Sequence, residues 1–292
     1  MSVVLCDTIT DENGIEITEH GTPSFPVACY AHNVSEKIVE WHWHDEFEVI
    51  LVTEGTSFVF AGSEKIKLTS GKGILLNAGT LHSIIPAEEK NCMIKSVCWH
   101  PRLTGGRDES VYWQKYIKRL FAERSFAYLL FEEMKEAETR LILHVSDAWE
   151  KCAQEPDGYE FDVRYDLSKI LYYGLKHQEK TGMKRKEKEI RTEKRLKQMI
   201  DFIKTNLSAQ ITITEIADSA GISVSEGLRC FNTILGTTPI RYVRKLRLEK
   251  AAGFLRMGKS VMESSTLSGF DDMSYFAREF KKQYGCVPSE YR

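Results

Sequence analysis

No stretch of this sequence approaches the ~20 consecutive apolar residues that a membrane-spanning helix needs. There is no CxxC pair either. The seven cysteines, at positions 6, 29, 92, 98, 152, 230 and 286, are odd in number and scattered, which argues against a disulfide framework and reads as reduced thiols. The first residues, MSVVLCDTITDENG, lack the basic and then apolar regions of a secretory leader. A cytoplasmic protein is expected, with no membrane partner. Net charge is also scarce, at −2.

That small sum conceals an asymmetry. Residues 183–292 hold 21 Lys and Arg against 13 Asp and Glu, while residues 1–182 hold 19 against 29. A basic final third on an acidic remainder points to a polyanion partner for that third alone, although a solvated charged surface would give the same count. The length, 292 residues, suits roughly two domains of about 100–200 residues each.

Residues 25–100 read as strands. Short apolar or alternating runs (FEVILVT, TSFVF, KIKLT, GILL) are separated by the turn signals AGS and SGKG. Many short strands at close spacing predict an all-β sandwich or barrel. Ahead of them, EHGTPSFPVACY (19–30) suits an arm that covers the barrel or packs along it, because Pro23 and Pro26 oppose a central strand. After Pro101 the spacing becomes helical, over 108–122, 131–154 and 161–180. In the last of these Val163, Leu167, Ile170, Leu171 and Leu175 share one stripe. Such helices either form a homodimer contact or cap the barrel. The charged segment 183–195 reads as a solvated linker or an exposed helix start. The expected layout is a barrel over 1–107, a helical segment over 108–182, the linker, and a helical domain over 196–292.

That last domain contains a repeat. FNTILGTTPIRY (231–242) matches FKKQYGCVPSEY (280–291), with Phe, Gly, Pro and Tyr at the same spacing and Arg229 and Arg278 each two residues before the Phe. Each copy opens like a helix-turn-helix. In the first, Thr212 and Glu215 form a capping box, Gly221 allows the turn, and Ser223 with Glu226 starts a second helix. In the second, Ser260 and Glu263 form the box, Gly269 makes the turn, and Asp271 is the expected N-cap of a helix over 272–283. Between them Pro239 can start a basic helix, roughly 239–257.

Residues 196–292 strongly resemble the DNA-binding domain of AraC/XylS-type transcription regulators, most specifically in GFDDMSYFAREFKKQYGCVPSEYR (269–292). The resemblance implies two recognition helices entering successive major grooves about 34 Å apart on one face of double-stranded DNA. It places base-facing positions at Ser225, Leu228 and Arg229, and at Met273, Ser274 and Arg278. Either arginine could hold guanine bidentately, worth about 1–3 kcal/mol of discrimination, or contact only phosphate. Arg244 and Lys245 on the basic helix are expected at the phosphates. Phe231, Tyr242, Phe276, Phe280 and Tyr291 read as core. There are departures. Ser264, Ser265 and Ser268 stand where Ile, Ala and Val are expected, and Gly227 stands where a core leucine is usual. Both lower the expected stability and predict weak or effector-dependent DNA binding.

One cluster remains, in WHWHDEFEVILVTEG (41–55). His42, His44 and Glu48 share parity, so an extended chain points them to one side. With His82 in GILLNAGTLH, they resemble the two cupin motifs, although Asn77 replaces a usual proline. The resemblance implies three imidazoles and a carboxylate converging inside a barrel. They would recognise a small effector by hydrogen bonds, hold a divalent metal, or serve structure alone. Trp41 and Trp43 would stack on a sugar ring or pack on the rim. The reading that joins these parts is an α+β multidomain protein and not an enzyme: a sequence-specific transcription regulator with an N-terminal cupin-like effector barrel and flanking helices. Its C-terminal domain is an all-α double helix-turn-helix. It would act as a homodimer, with RNA polymerase as a further partner. Two rivals stay open, a cupin-type metalloenzyme with a helical accessory domain and a constitutive DNA-binding architectural protein.

Overall fold

A computed structural model describes residues 20–88, 91–122, 126–131, 138–181 and 185–291. These fall into two compact units, 20–190 and 191–291.

In the first unit the apolar runs become strands β1 (Val27–Asn33), β2 (Val39–His42), β3 (Phe47–Glu54), β4 (Thr56–Ala61), β5 (Glu64–Thr69), β6 (Gly73–Leu76), β7 (His82–Pro86), β8 (Met93–Trp99) and β9 (Tyr128–Leu130). They form two antiparallel sheets, ordered β1-β8-β3-β6-β9 and β2-β7-β4-β5. The expected barrel is therefore not closed. Tight turns carry the chain from one sheet to the other. Gly55, between β3 and β4, has φ +76°, and a Cβ there would collide with the Asn91 carbonyl oxygen.

The run FEVILVT is apolar throughout because β3 is covered on both faces. Glu48, Ile50 and Val52 face the second sheet, where Ile50, Val52, Ile74, Leu76 and Ile94 meet Val39, Val59, Ile66, Leu68 and Ile84. Phe47, Val49 and Leu51 point the other way, into a core shared with the helices. Each such side chain taken from water stabilises the fold by about 1.5–3 kcal/mol.

The helices of this unit are α1 (Pro101–Gly105), a π-helical turn (Trp113–Ile117) continuing as α2 (Lys118–Ala122), α3 (Glu138–Gln154) and α4 (Tyr159–Thr181). No sequence pattern announces β9, which adds to the sheet edge beside β6. Of the helix expected over 131–154, Phe131 follows β9 outside any helix and α3 is described from Glu138; residues 132–137 lie outside the described residues. The stripe Val163, Leu167, Ile170, Leu171 and Leu175 is buried with Leu141, Val145, Ala148 and Cys152 of α3. That face caps the sheet. Phe161, Tyr165 and Tyr172 of α4 are exposed, Phe161 at 82%.

The second unit contains α5 (Glu187–Thr205), α6 (Ile213–Ser219), α7 (Val224–Leu235), α8 (Pro239–Arg256), α9 (Val261–Leu267) and α10 (Met273–Tyr284). The charged segment is thus a helix start from Glu187. Leu196, Met199, Ile200 and Ile203 of α5 are buried at helical spacing. Both capping boxes form, at Thr212/Glu215 and Ser260/Glu263. Ser223 accepts from the Glu226 amide, but the Glu226 carboxylate turns to Arg195 at 2.6 Å and Arg229 at 2.9 Å, so no reciprocal box closes there. The N-cap of α10 is Asp272, not Asp271; its side chain accepts from the Tyr275 amide, while Asp271 accepts from Gln210.

The repeat has a common geometry. Gly236 and Gly285 end α7 and α10 with left-handed φ of 62° and 77°. Phe231 packs on Tyr242 with ring centroids 5.7 Å apart, and Phe280 packs on Tyr291 at 5.2 Å. The departures have physical counterparts. Gly227 is buried where α6 and α7 approach, and the space a leucine would fill belongs to Ala217 and Met199. Ser268 donates to the carbonyls of Ser264 and Ser265, whereas the hydroxyls of Ser264 and Ser265 are buried without a hydrogen-bond partner.

Candidate ligand cavity and DNA-reading helices

The two sheets enclose a small polar cavity of about 20 Å³. A void of ~10–15 Å³ is enough for one water, so this one has room for an ion or a water. His42 on β2 and His82 on β7 are direct cross-strand neighbours, with ring centroids 4.1 Å apart. The β2–β7 register shifts between Val39 and His42, and His42 lines the cavity. His44 follows β2, and Glu48 comes from the facing sheet. The Glu48 Oε2 atom lies 3.1 Å from His82 Nε2 and 3.7 Å from His44 Nε2. All four side chains are buried, so the structure brings together the quartet expected from sequence.

The orientation of the rings follows from their second nitrogens. The Nδ1 atoms of His42, His44 and His82 lie 2.8, 3.2 and 2.8 Å from the backbone carbonyls of Glu40, Glu46 and Thr80. A carbonyl only accepts, so each Nδ1 carries a hydrogen and the neutral ring has its lone pair at Nε2. Burial pushes the Glu48 carboxyl up, but His44 and His82 beside it outweigh burial and hold it well below the usual carboxylate range. The Glu48 carboxylate and the Nε2 atoms of His44 and His82 therefore face one another, with His42 beside His82. An Nε2–H would donate to the carboxylate, and a metal ion would take the place of that hydrogen. Histidines whose far nitrogens are fixed by backbone carbonyls are the usual ligands of such an ion. The potential ligand atoms of His42, His44 and His82 all lie within 4.8 Å of one another.

Trp41 is not at the cavity. It lies on the outer face of the four-stranded sheet, its ring 5.6 Å from Phe60. Trp43 is buried and does not line the cavity. Among the lining residues that escaped the sequence reading are His20 and Cys98. His20 sits in the expected arm, where a turn at Gly21 (φ +93°) directs the chain and His20 Nδ1 meets the Tyr30 hydroxyl at 2.7 Å. Cys98 on β8 pairs in register with Glu48 on β3, so both face the cavity. Only strand register could have revealed Cys98. Asn77, the residue in place of proline, has a different task. Its amide nitrogens donate to Leu120, Phe126 and Ala127, tying the helical segment to the sheet, and proline would lack the backbone donor.

In the second unit α7 exposes Ser225 and Arg229 and half-exposes Leu228, while α10 exposes Met273, Ser274 and Arg278. Arg229 and Arg278 are 63% and 69% exposed. Glu226 orients Arg229, and Arg278 lies 5.4 Å from the Tyr275 ring. Arg244 is engaged elsewhere. It binds Glu279 at 3.0 Å and the Tyr275 hydroxyl at 3.4 Å, so it joins α8 to α10. Lys245 is half-buried beside Glu249, 3.6 Å away.

Residues 24–104 match the family described as the AraC-like ligand binding domain, and residues 216–292 match a helix-turn-helix domain. The helix-turn-helix-type transcriptional regulator YdeC of Bacillus subtilis is 27% identical over 97% of this chain and 97% of its own length. The Tn10 TetD protein of Escherichia coli is 33% identical over 98 residues, which is 33% of this chain and 71% of that protein. Among solved structures, ToxT of Vibrio cholerae is similar over 91% of this chain and 96% of its own, with 15% identity and a TM-score of 0.43.

Proposed function

The chain belongs to the AraC-type helix-turn-helix transcription regulators, and from that premise we propose that α7 and α10 read a two-part duplex site under the control of whatever occupies the histidine–glutamate cavity. The main support is the repeat itself: Arg229 and Arg278 hold equivalent positions and are both largely exposed. Each contacts a guanine, flanked by Ser225 and Leu228 on α7 and by Met273 and Ser274 on α10. Lys245 contacts phosphate. Arg244 holds α10 against α8 and so acts on DNA through Glu279 and Tyr275.

Control is a shift between DNA-competent and incompetent populations, and requires the occupant to favour one of them. The chain acts as a homodimer in the cytoplasm. The proposed contact is the exposed face of α4, where Phe161, Tyr165 and Tyr172 border a groove of about 620 Å³ shared with Tyr112 and Tyr116. RNA polymerase is the partner through which binding alters transcription. Family membership leaves no reason to assign turnover to the cavity.

The test is selection of random duplexes by the full chain. Two recognition elements centred about 10 base pairs apart are expected. Arg229→Ala should relax one element and Arg278→Ala the other, by about 1–3 kcal/mol per base pair. Failure to enrich any sequence, or variants with unchanged preferences, contradicts the proposal.

A further inference from the structure

Effector control, as proposed, leaves the occupant of the cavity open, and its identification rests on that function. We propose that the cavity holds one thiophilic transition-metal ion of the zinc class, and that its ligands are drawn from His20, His42, His44, His82, Glu48 and Cys98, with His44 and Cys98 among them. Two groups of potential ligands overlap at His44; His20, His42, His44, Glu48 and Cys98 line the void, and His82 stands beside Glu48. One is His42, His44 and His82; the other is His20, His44 and Cys98, whose ligand atoms also lie within 4.8 Å of one another. His44 is common to both. Its Nδ1–H faces the Glu46 carbonyl, and its Nε2 and that of His82 point at Glu48 Oε2, 3.7 and 3.1 Å away. The void is about 20 Å³, which is enough room for an ion.

The position of Cys98 follows from the sheet. It stands opposite Glu48 across the β3–β8 ladder, on the face that looks into the cavity. A thiolate among imidazoles selects zinc-like or copper-like ions over calcium or magnesium, which require oxygen ligands. Binding deprotonates the thiol and releases its proton to solvent. The ligands come from separate parts of the first unit. His42 and His82 belong to the four-stranded sheet, Glu48 and Cys98 to the five-stranded sheet, and His20 to the arm. An ion held by them clamps one sheet to the other and fixes the arm beside both.

Cobalt(II) is the probe, because a cobalt–thiolate bond gives a charge-transfer band in the near ultraviolet that imidazole and carboxylate do not. The full chain, stripped with chelator, should take up one Co(II) per chain, show that band, and lose it when Zn(II) is added. Cys98→Ser should abolish the band and weaken binding at least ~10-fold, since even outer-shell partners cost about 10–100-fold. Circular dichroism of each stripped protein establishes that it is folded. His44→Ala, which removes the shared ligand, should weaken binding more than Cys98→Ser, and a Cys152→Ser control should keep the band. No Co(II) or Zn(II) retained by the folded wild type overturns the metal assignment. A thiolate band that persists in Cys98→Ser overturns the assignment of Cys98. Neither result depends on DNA, so effector control of DNA binding stands or falls separately.

Discussion

Gly227 lies where α6 and α7 touch, and its substitutions separate two effects. A Cβ there would meet Ala217 Cβ and Met199 Sδ, both at 3.4 Å, which is ordinary contact. Gly227→Ala should therefore stabilise the full chain by about 1 kcal/mol, the usual helix-interior difference. Gly227→Leu should destabilise it by about 1–3 kcal/mol through overpacking. Chemical denaturation of both variants checks the pair. Ser264 offers a second comparison. Its buried hydroxyl has no hydrogen-bond partner, so Ser264→Ala should gain about 1 kcal/mol. Ser268→Val should gain nothing, because that hydroxyl already bonds two carbonyls. The sequence flagged all three serines alike. Only the folded structure distinguishes them, since a hydroxyl's satisfaction depends on where neighbouring carbonyls point. The quartet His42, His44, Glu48 and His82 was legible from parity and spacing. Cys98 was not, because its place opposite Glu48 depends on a register set by distant strands.

Helix ends were legible because capping is local. Thr212/Glu215 and Ser260/Glu263 close as the four-residue patterns predict. The Glu226 box failed for a non-local reason: Arg195, on another helix, attracts its carboxylate. The two closed boxes carry a pH signature. Glu215 is lowered from its usual 4.5 by bonds from the Thr212 amide and hydroxyl, and Glu263 by bonds from the Ser260 hydroxyl and amide. A carboxyl with depressed pKa stabilises the folded state above its unfolded value and loses that contribution as pH falls through its folded value. Melting of the second unit should thus weaken as pH falls below that usual value of 4.5, less steeply in Glu215→Gln/Glu263→Gln. Identical acid slopes contradict the caps' role. On α4, the apolar stripe foreseen from sequence is core, and the proposed dimer face is the opposite one. Phe161→Asp should shift sedimentation toward the monomer at unchanged helicity, whereas Leu167→Asp should unfold the first unit. A wild type that sediments as a monomer rules out the α4 contact.

For the molecule as a whole, the charge asymmetry, the change from strand to helix near Pro101 and the 49-residue repeat were all readable from the chain. Whether the sheets closed into a barrel was not, because closure is decided by hydrogen bonds between strands far apart in sequence. The strand β9 was hidden for the same reason; its three residues form a strand by pairing with β6. The molecule pairs a buried cavity ringed by histidines with a basic unit that carries two exposed reading helices. In the proposed mechanism, occupancy of the first sets the affinity of the second. The most direct measurement is the binding isotherm of the full chain for a selected duplex, recorded at fixed salt with Zn(II) and with chelator. Affinity should change at least ~5-fold between the two in wild type, within the usual range of coupling between sites, and should not change in His44→Ala. Equal isotherms in wild type, with the cavity shown to be loaded, would contradict it.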